Sequence, residues 1–275
     1  MFHHGLFTGN RNFSISLFCV FAEGMAFFAA NTYFAFQVSV LYETDAIIVG
    51  ARYSLMLVAA GTGAAIAGWY CAITKRVRWI TVLAFLIFVA FFACMATTNR
   101  DTSNPVWGYP ILLGIALGMT LPTLVTAAQL SIPPELISVA SGLIISVRSL
   151  GGTIGITIYS VLFNDGMSLM APNIAKAVLP AGLDADNLPA IIGALISHNE
   201  SAIAQVPDIT PDIVLRGTHA LLDTYVEAFR DVWISAACFV AVAAIVSAFL
   251  FDPEKEFNNH IDAPLEEKHR FLAAE

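Results

Sequence analysis

The chain has 275 residues, 57% hydrophobic and only 12% charged, with a formal net charge of -8 and a mean hydropathy of +0.74. An ordinary soluble domain carries about a quarter of its residues as charges, so this composition excludes one. The acids gather in 184–227 and 252–267, and such surfaces give no reason to expect nucleic acid, whose binding needs Lys and Arg on phosphates.

Residues 1–12 lack the short apolar core and cleavage site of a signal peptide and are expected to form a cytoplasmic N-terminal segment. Six apolar runs follow, at 13–40, 46–73, 79–96, 106–130, 137–163 and 232–251. Each is close to or beyond the ~20 residues that cross a ~30 Å hydrocarbon core as a helix. The predicted fold class is an all-α polytopic membrane protein with six transmembrane helices.

The first run carries Glu23 at depth, and Asn31, Thr32, Tyr33 and Gln37 in its outer half beside Phe27, Phe28 and Phe34. The second has Ala60, Ala64 and Gly68 at four-residue spacing and ends at a basic turn, Lys75, Arg76 and Arg78. Arg52, near the other end of that run, is expected to snorkel outward or to meet Glu43 or Asp45. The third run has Phe85, Phe88, Phe91 and Phe92 and no row of small residues, and is expected to face lipid. In the fourth, Gly114 and Gly118 precede Pro122, which is surrounded by Thr120, Thr123, Thr126 and Gln129. These polar groups either satisfy the carbonyl that the proline frees, bond between helices, or line a water-filled cavity. The fifth run carries Arg148 and the pair Gly151 and Gly155.

A long loop, 164–231, leads to the sixth run. Within it Thr210-Pro211-Asp212 combines a capping hydroxyl, a first-turn proline and an acid at the positive end of the helix dipole. That start predicts an interfacial amphipathic helix entering the last span, with a shorter helix at 188–196. The alternative is a folded cap without a role in binding. Residues 252–275 are polar and are expected to form a partly disordered tail.

Helices in lipid associate by close backbone approach, because lipid tails are as apolar as leucine. The rows Ala60, Ala64, Gly68; Gly114, Gly118; and Gly151, Gly155 therefore place spans one, two, four and five inside the bundle, with three and six outside. For orientation, short loops rich in Lys and Arg stay cytoplasmic. Lys75, Arg76 and Arg78 share a side with both termini, which makes that side cytoplasmic. Asn199, in the sequon Asn199-Glu200-Ser201, then falls in the loop facing outward as a glycosylation candidate. The expected location is the plasma membrane.

Charges within spans cost at least ~2.5–3.5 kcal/mol each unless paired or hydrated. Counting from Phe13 and from Val139, where the fifth span is expected to enter the bilayer, Glu23 and Arg148 both lie about 14–15 Å deep, so the two are able to pair. Such a pair has two readings: Glu23 as a proton- or substrate-coupling carboxylate, or a static ion pair that fixes helix packing. No Ser/His/Asp set, phosphate loop or metal-ligand cluster occurs, and all six histidines lie outside the spans. An enzyme is not expected, nor a cofactor or metal. Cys19, Cys71, Cys94 and Cys238 have no ligand spacing and are expected to act as small buried hydrophobes.

Several segments together carry a family resemblance. They are Gly5-Leu6-Phe7 with Arg11-Asn12-Phe13, Phe21-Ala22-Glu23-Gly24-Met25-Ala26-Phe27-Phe28, Lys75-Arg76-Val77-Arg78-Trp79 and Ala127-Ala128-Gln129-Leu130-Ser131. Further along come Pro133-Pro134-Glu135-Leu136-Ile137, Ser141-Gly142-Leu143, Val147-Arg148-Ser149-Leu150-Gly151-Gly152 and His260-Ile261-Asp262-Ala263-Pro264. With them the chain resembles the C-terminal half of a fungal major facilitator superfamily transporter, nearest the fourteen-span group of trichothecene efflux pumps and siderophore transporters. The superfamily's loop motif survives only in part, as Gly68 and the basic cluster; its Asp is absent.

The resemblance implies one six-helix half of that fold. Its first and fourth helices would line the cavity, its second and fifth would flank the junction with the other half, and its third and sixth would lie outside. It also implies proton-coupled efflux of small organic compounds, with siderophore-iron uptake as the alternative. The other half, whether a missing N-terminal half or a second copy, would be the partner; a non-transporting fragment is the remaining alternative.

Overall fold

The computed structural model describes residues 11–197, 203, 206–207 and 209–252. Asn199 and most of the expected tail lie outside the described residues. The rest is helical: α1 (Arg11–Leu41), α2 (Ala46–Thr74), α3 (Arg78–Ala96), α4 (Tyr109–Gln129), α5 (Ile137–Ser168), α6 (Met170–Val178), α7 (Leu188–Ile196) and α8 (Pro211–Ser247). Among the described residues, six helical stretches are long and apolar enough to cross a membrane. They correspond to the six predicted spans.

Local chemistry sets the helix ends. The Asp45 carboxylate accepts the Ile47 N–H and starts α2, while Lys75 ends it in the left-handed region at φ 57°, its N–H closing onto the Cys71 carbonyl. The turn that follows leaves the first N–H groups of α3 without helical partners. Asp252, just beyond α8, supplies one: its Oδ1 accepts from the N–H groups of Val77 and Arg78 at 2.8 and 2.9 Å. Beside it, Asn12 donates to the Phe251 carbonyl and accepts from the Phe251 N–H. The start of α1, the end of α8 and the α2–α3 turn therefore share one end of the bundle.

Two helix pairs pack backbone to backbone. Between α2 and α4, a Cβ on Gly114 or Gly118 would strike the carbonyl of Met56 or Ala60, and one on Gly63 would strike that of Ile115. Between α1 and α5, Gly24 lies against the Arg148 carbonyl, Gly151 against the Phe21 carbonyl and Gly155 against Met25. Gly68 is different. It is exposed, with no described atom within 4 Å of where its Cβ would be. The buried row of α2 is Met56, Ala59, Gly63, Ala67 and Cys71, one position away from the predicted row. Ala60 and Ala64 still touch Gly118 from its edge.

The third span also departs from expectation. Phe85, Phe88, Phe91 and Phe92 are fully buried. Phe91 and Phe92 close on Trp233 of α8, with ring centroids 6.2 and 5.9 Å apart. Large rings fill the α3–α8 space, so those aromatics mark an interhelical core and α3 turns its other face, with Trp79, Leu83 and Leu86, outward. Neighbours bury two-thirds of the apolar stretch of α1 but little more than a quarter of those of α2 and α5.

The expected interfacial helix and the last span are one helix. Thr210 caps it by accepting the Ile213 N–H, and it runs unbroken for 37 residues, about 55 Å at 1.5 Å per residue. That exceeds a ~30 Å core by several turns. Around this extension the loop folds into a cap with its own apolar centre, which includes Ile174, Val178, Ile191, Leu195, Ile213 and Leu221.

Candidate substrate and coupling site

Glu23 lies twelve residues into α1 and Arg148 eleven into α5, which places both about 17–18 Å from their helix starts. The close α1–α5 contact at Gly24 and Gly151 brings their side chains together. Arg148 Nε donates to Glu23 Oε2 at 2.6 Å and Nη2 donates to Oε1 at 2.8 Å. This is a two-pronged, charge-assisted pair, the geometry that suits guanidinium and carboxylate best. The Arg148 guanidinium also stacks on Phe27, its Cζ 4.6 Å from the ring centroid. The pair is lopsided: Glu23 has no exposed side-chain surface, whereas Arg148 keeps 24%.

Asn31 follows Phe27 by one turn on the same face of α1. It is exposed, and its Oδ1 accepts from the Tyr53 hydroxyl at 3.0 Å. Tyr33 is buried, with its hydroxyl 3.3 Å from Ser160 Oγ of α5. Glu23, Phe27 and Asn31 thus follow one another at four-residue spacing along α1, with Arg148 over the first two.

The remaining polar candidates lie elsewhere. Gln37 is buried and bonds helix to helix, donating to Thr98 Oγ1 and accepting from Trp233 Nε1, both at 2.6 Å. It is six residues from Asn31, about 120° around the helix, and so it turns inward. Thr123 is buried against α3, accepting from Thr81 Oγ1 at 3.1 Å and donating back to the Met119 carbonyl. Thr126 is half-buried. Gln129 donates to Ser141 Oγ of α5 at 2.9 Å. The fourth-helix row therefore spreads over two interfaces and does not form a single polar lining. Arg52 meets neither Glu43 nor Asp45; it donates to Ser103 and stacks on Trp107 at 4.8 Å.

Sequence reading did not find Tyr53, Ser141, Thr81, Trp233 or Asp252 as partners. Hydroxyl and indole groups are common in such helices, and only the neighbouring helix shows which of them is engaged. In the basic turn, Lys75 is a helix terminator, and the Arg78 guanidinium covers Trp79 at 4.9 Å.

Comparison with known proteins fits this architecture. The chain is 20% identical over 202 residues to a trichothecene efflux pump of Fusarium sporotrichioides, covering 73% of this chain and 34% of that protein. It is 22% identical over 263 residues to an MFS-type efflux transporter of Aspergillus flavipes, covering 95% and 43%. It is 24% identical over 178 residues to a multidrug transporter of Bacillus subtilis, covering 62% and 33%. The chain thus spans about a third of the length of most of these relatives. Residues 2–156, more than half of the chain, match the Major Facilitator Superfamily. With six membrane-spanning stretches and that match, the chain belongs to the Major Facilitator Superfamily, a family of integral membrane transporters and not of enzymes.

Proposed function

We propose that the chain forms the C-terminal half of an efflux transporter, which moves small amphipathic organic compounds outward in exchange for protons. In this reading both termini and the Lys75–Arg78 turn are cytoplasmic in the plasma membrane. Glu23 is the coupling carboxylate: proton uptake weakens its grip on Arg148, and deprotonation restores it. The observation that carries the reading is the pair itself, a fully buried carboxylate held halfway along α1 by a guanidinium that still reaches the surface. Transporters with sites at the midplane work by rocking two repeats around the site. The uncovered faces of α2 and α5 offer a seat for the second bundle: Gly50, Gly61 and Gly68 on α2 and Gly142 on α5 have no described atom within 4 Å of where a Cβ would be.

The test is release of a radiolabelled trichothecene from preloaded cells that lack their own efflux pumps. Cells that express the chain together with its second bundle are expected to lose label several-fold faster than cells with Glu23→Gln in the same assembly at equal membrane abundance. Equal rates in cells with and without that assembly overturn the proposal. Net gain of ferric siderophore in place of loss of toxin would favour the uptake reading.

A further inference from the structure

The open edge of Arg148 has a definite chemical preference. Glu23 occupies Nε and Nη2, and among the described residues Nη1 has no hydrogen-bond partner. Because Glu23 is fully buried, its oxygens offer nothing to a visitor, while the guanidinium does. One turn further along α1 from Phe27, Asn31 repeats the pattern. Its oxygen is engaged by Tyr53, which leaves the amide hydrogens, unpaired among the described residues, on an exposed side chain. Between these donors lies the half-buried ring of Phe27. An amide NH₂ and a guanidinium edge donate only.

We propose that this surface, formed by Arg148 Nη1, Phe27 and Asn31 Nδ2, binds compounds that present acceptor oxygens (a carboxylate or an ester carbonyl) on a flat apolar frame, and discriminates against organic cations. The inference rests on the transporter reading above only in that the surface must border the substrate path. A guanidinium fork matches a carboxylate in its plane, and a half-buried aromatic ring offers a flat apolar ring an offset or edge-to-face contact. An ammonium ion would meet a like charge and donors with no acceptor to receive it.

Three probes of one shape test this: 1-naphthoate, its methyl ester and 1-naphthylmethylammonium. Binding is measured to the full chain in lipid nanodiscs, with empty nanodiscs subtracted for partitioning. The naphthoate and the ester are expected to bind at least tenfold more tightly than the ammonium. Arg148→Lys keeps a cation opposite Glu23 but removes the second edge, and should weaken naphthoate about tenfold. Asn31→Ala, an exposed change with unaltered thermal unfolding, should weaken both oxygen probes several-fold. If Arg148→Lys does not fold, Asn31→Ala carries the test alone. Ammonium binding as tight as naphthoate, or naphthoate binding unchanged in the folded variants, overturns the proposal. Selective binding without export of any compound would sink the efflux reading and leave this one standing. Export by a protein that prefers the ammonium would do the reverse.

Discussion

Glu23 has no exposed surface, so its charge is tolerable only while Arg148 holds it along two bonds. Removing one member of a buried pair typically costs about 3–5 kcal/mol, because the other is left uncompensated. The two single substitutions should therefore differ. Arg148→Ala strands a buried carboxylate and should fall in that range. Glu23→Gln strands a guanidinium that already reaches the surface and should cost less. The double change Glu23→Leu with Arg148→Leu removes both charges and should recover most of the loss. Thermal unfolding in detergent at equal lipid content measures all three; equal losses for the two single changes would contradict the lopsided burial. The depth of each residue was legible from sequence, since helix rise converts position into distance. Which way a polar side chain faces was not. Gln37 of α1 and Thr123 of α4 both turn inward, and their partners, Trp233 and Thr81, come from helices that the local sequence does not reveal.

Helix pairs here come in two kinds, glycine contacts for α1–α5 and α2–α4 and aromatic contacts for α3–α8. Adding a methyl group at Gly118 would drive it into the Ala60 carbonyl, a backbone atom that cannot swing away. Overpacking of this sort costs about 1–3 kcal/mol. Gly118→Ala is expected to lose stability on that scale, whereas Gly68→Ala, which points into open space, should leave the melting temperature unchanged. Comparable losses at both sites would show that α2 packs through its predicted row after all. The sequence contains two adjacent four-residue rows on α2, Ala59-Gly63-Ala67 and Ala60-Ala64-Gly68. Composition alone does not choose between them, because the choice belongs to α4. The aromatic row of α3 misled for a related reason: phenylalanine suits lipid and an interhelical core equally well. Only Trp233, more than a hundred residues away, distinguishes the two. The hydroxyl cap at Thr210 was legible because capping is local. The continuity of α8 was not, because no break signal separates an amphipathic first half from an apolar second half.

The six helices leave α2 and α5 as the least covered members of the bundle, and both present small residues on the uncovered side. In the proposed transporter these faces close against a second bundle. Gly61→Leu is then expected to leave the unfolding of the chain itself unchanged, since that face is open, while export falls severely. Retained export with a bulky residue at Gly61 would show that the face meets only lipid. The six-span architecture was legible from hydropathy, whereas the direction and coupling of transport were not, because they depend on how two bundles move around a shared site. The most direct test uses inside-out membrane vesicles containing the chain assembled with its second bundle, with a pH-sensitive dye trapped in an acidified lumen. Adding an exported compound outside should drive it inward and protons outward, so the lumen becomes more alkaline with the wild-type chain and stays unchanged with Glu23→Gln. Uptake of the compound with no change in luminal pH, or equal alkalinisation in the Glu23→Gln vesicles, would contradict coupling through Glu23.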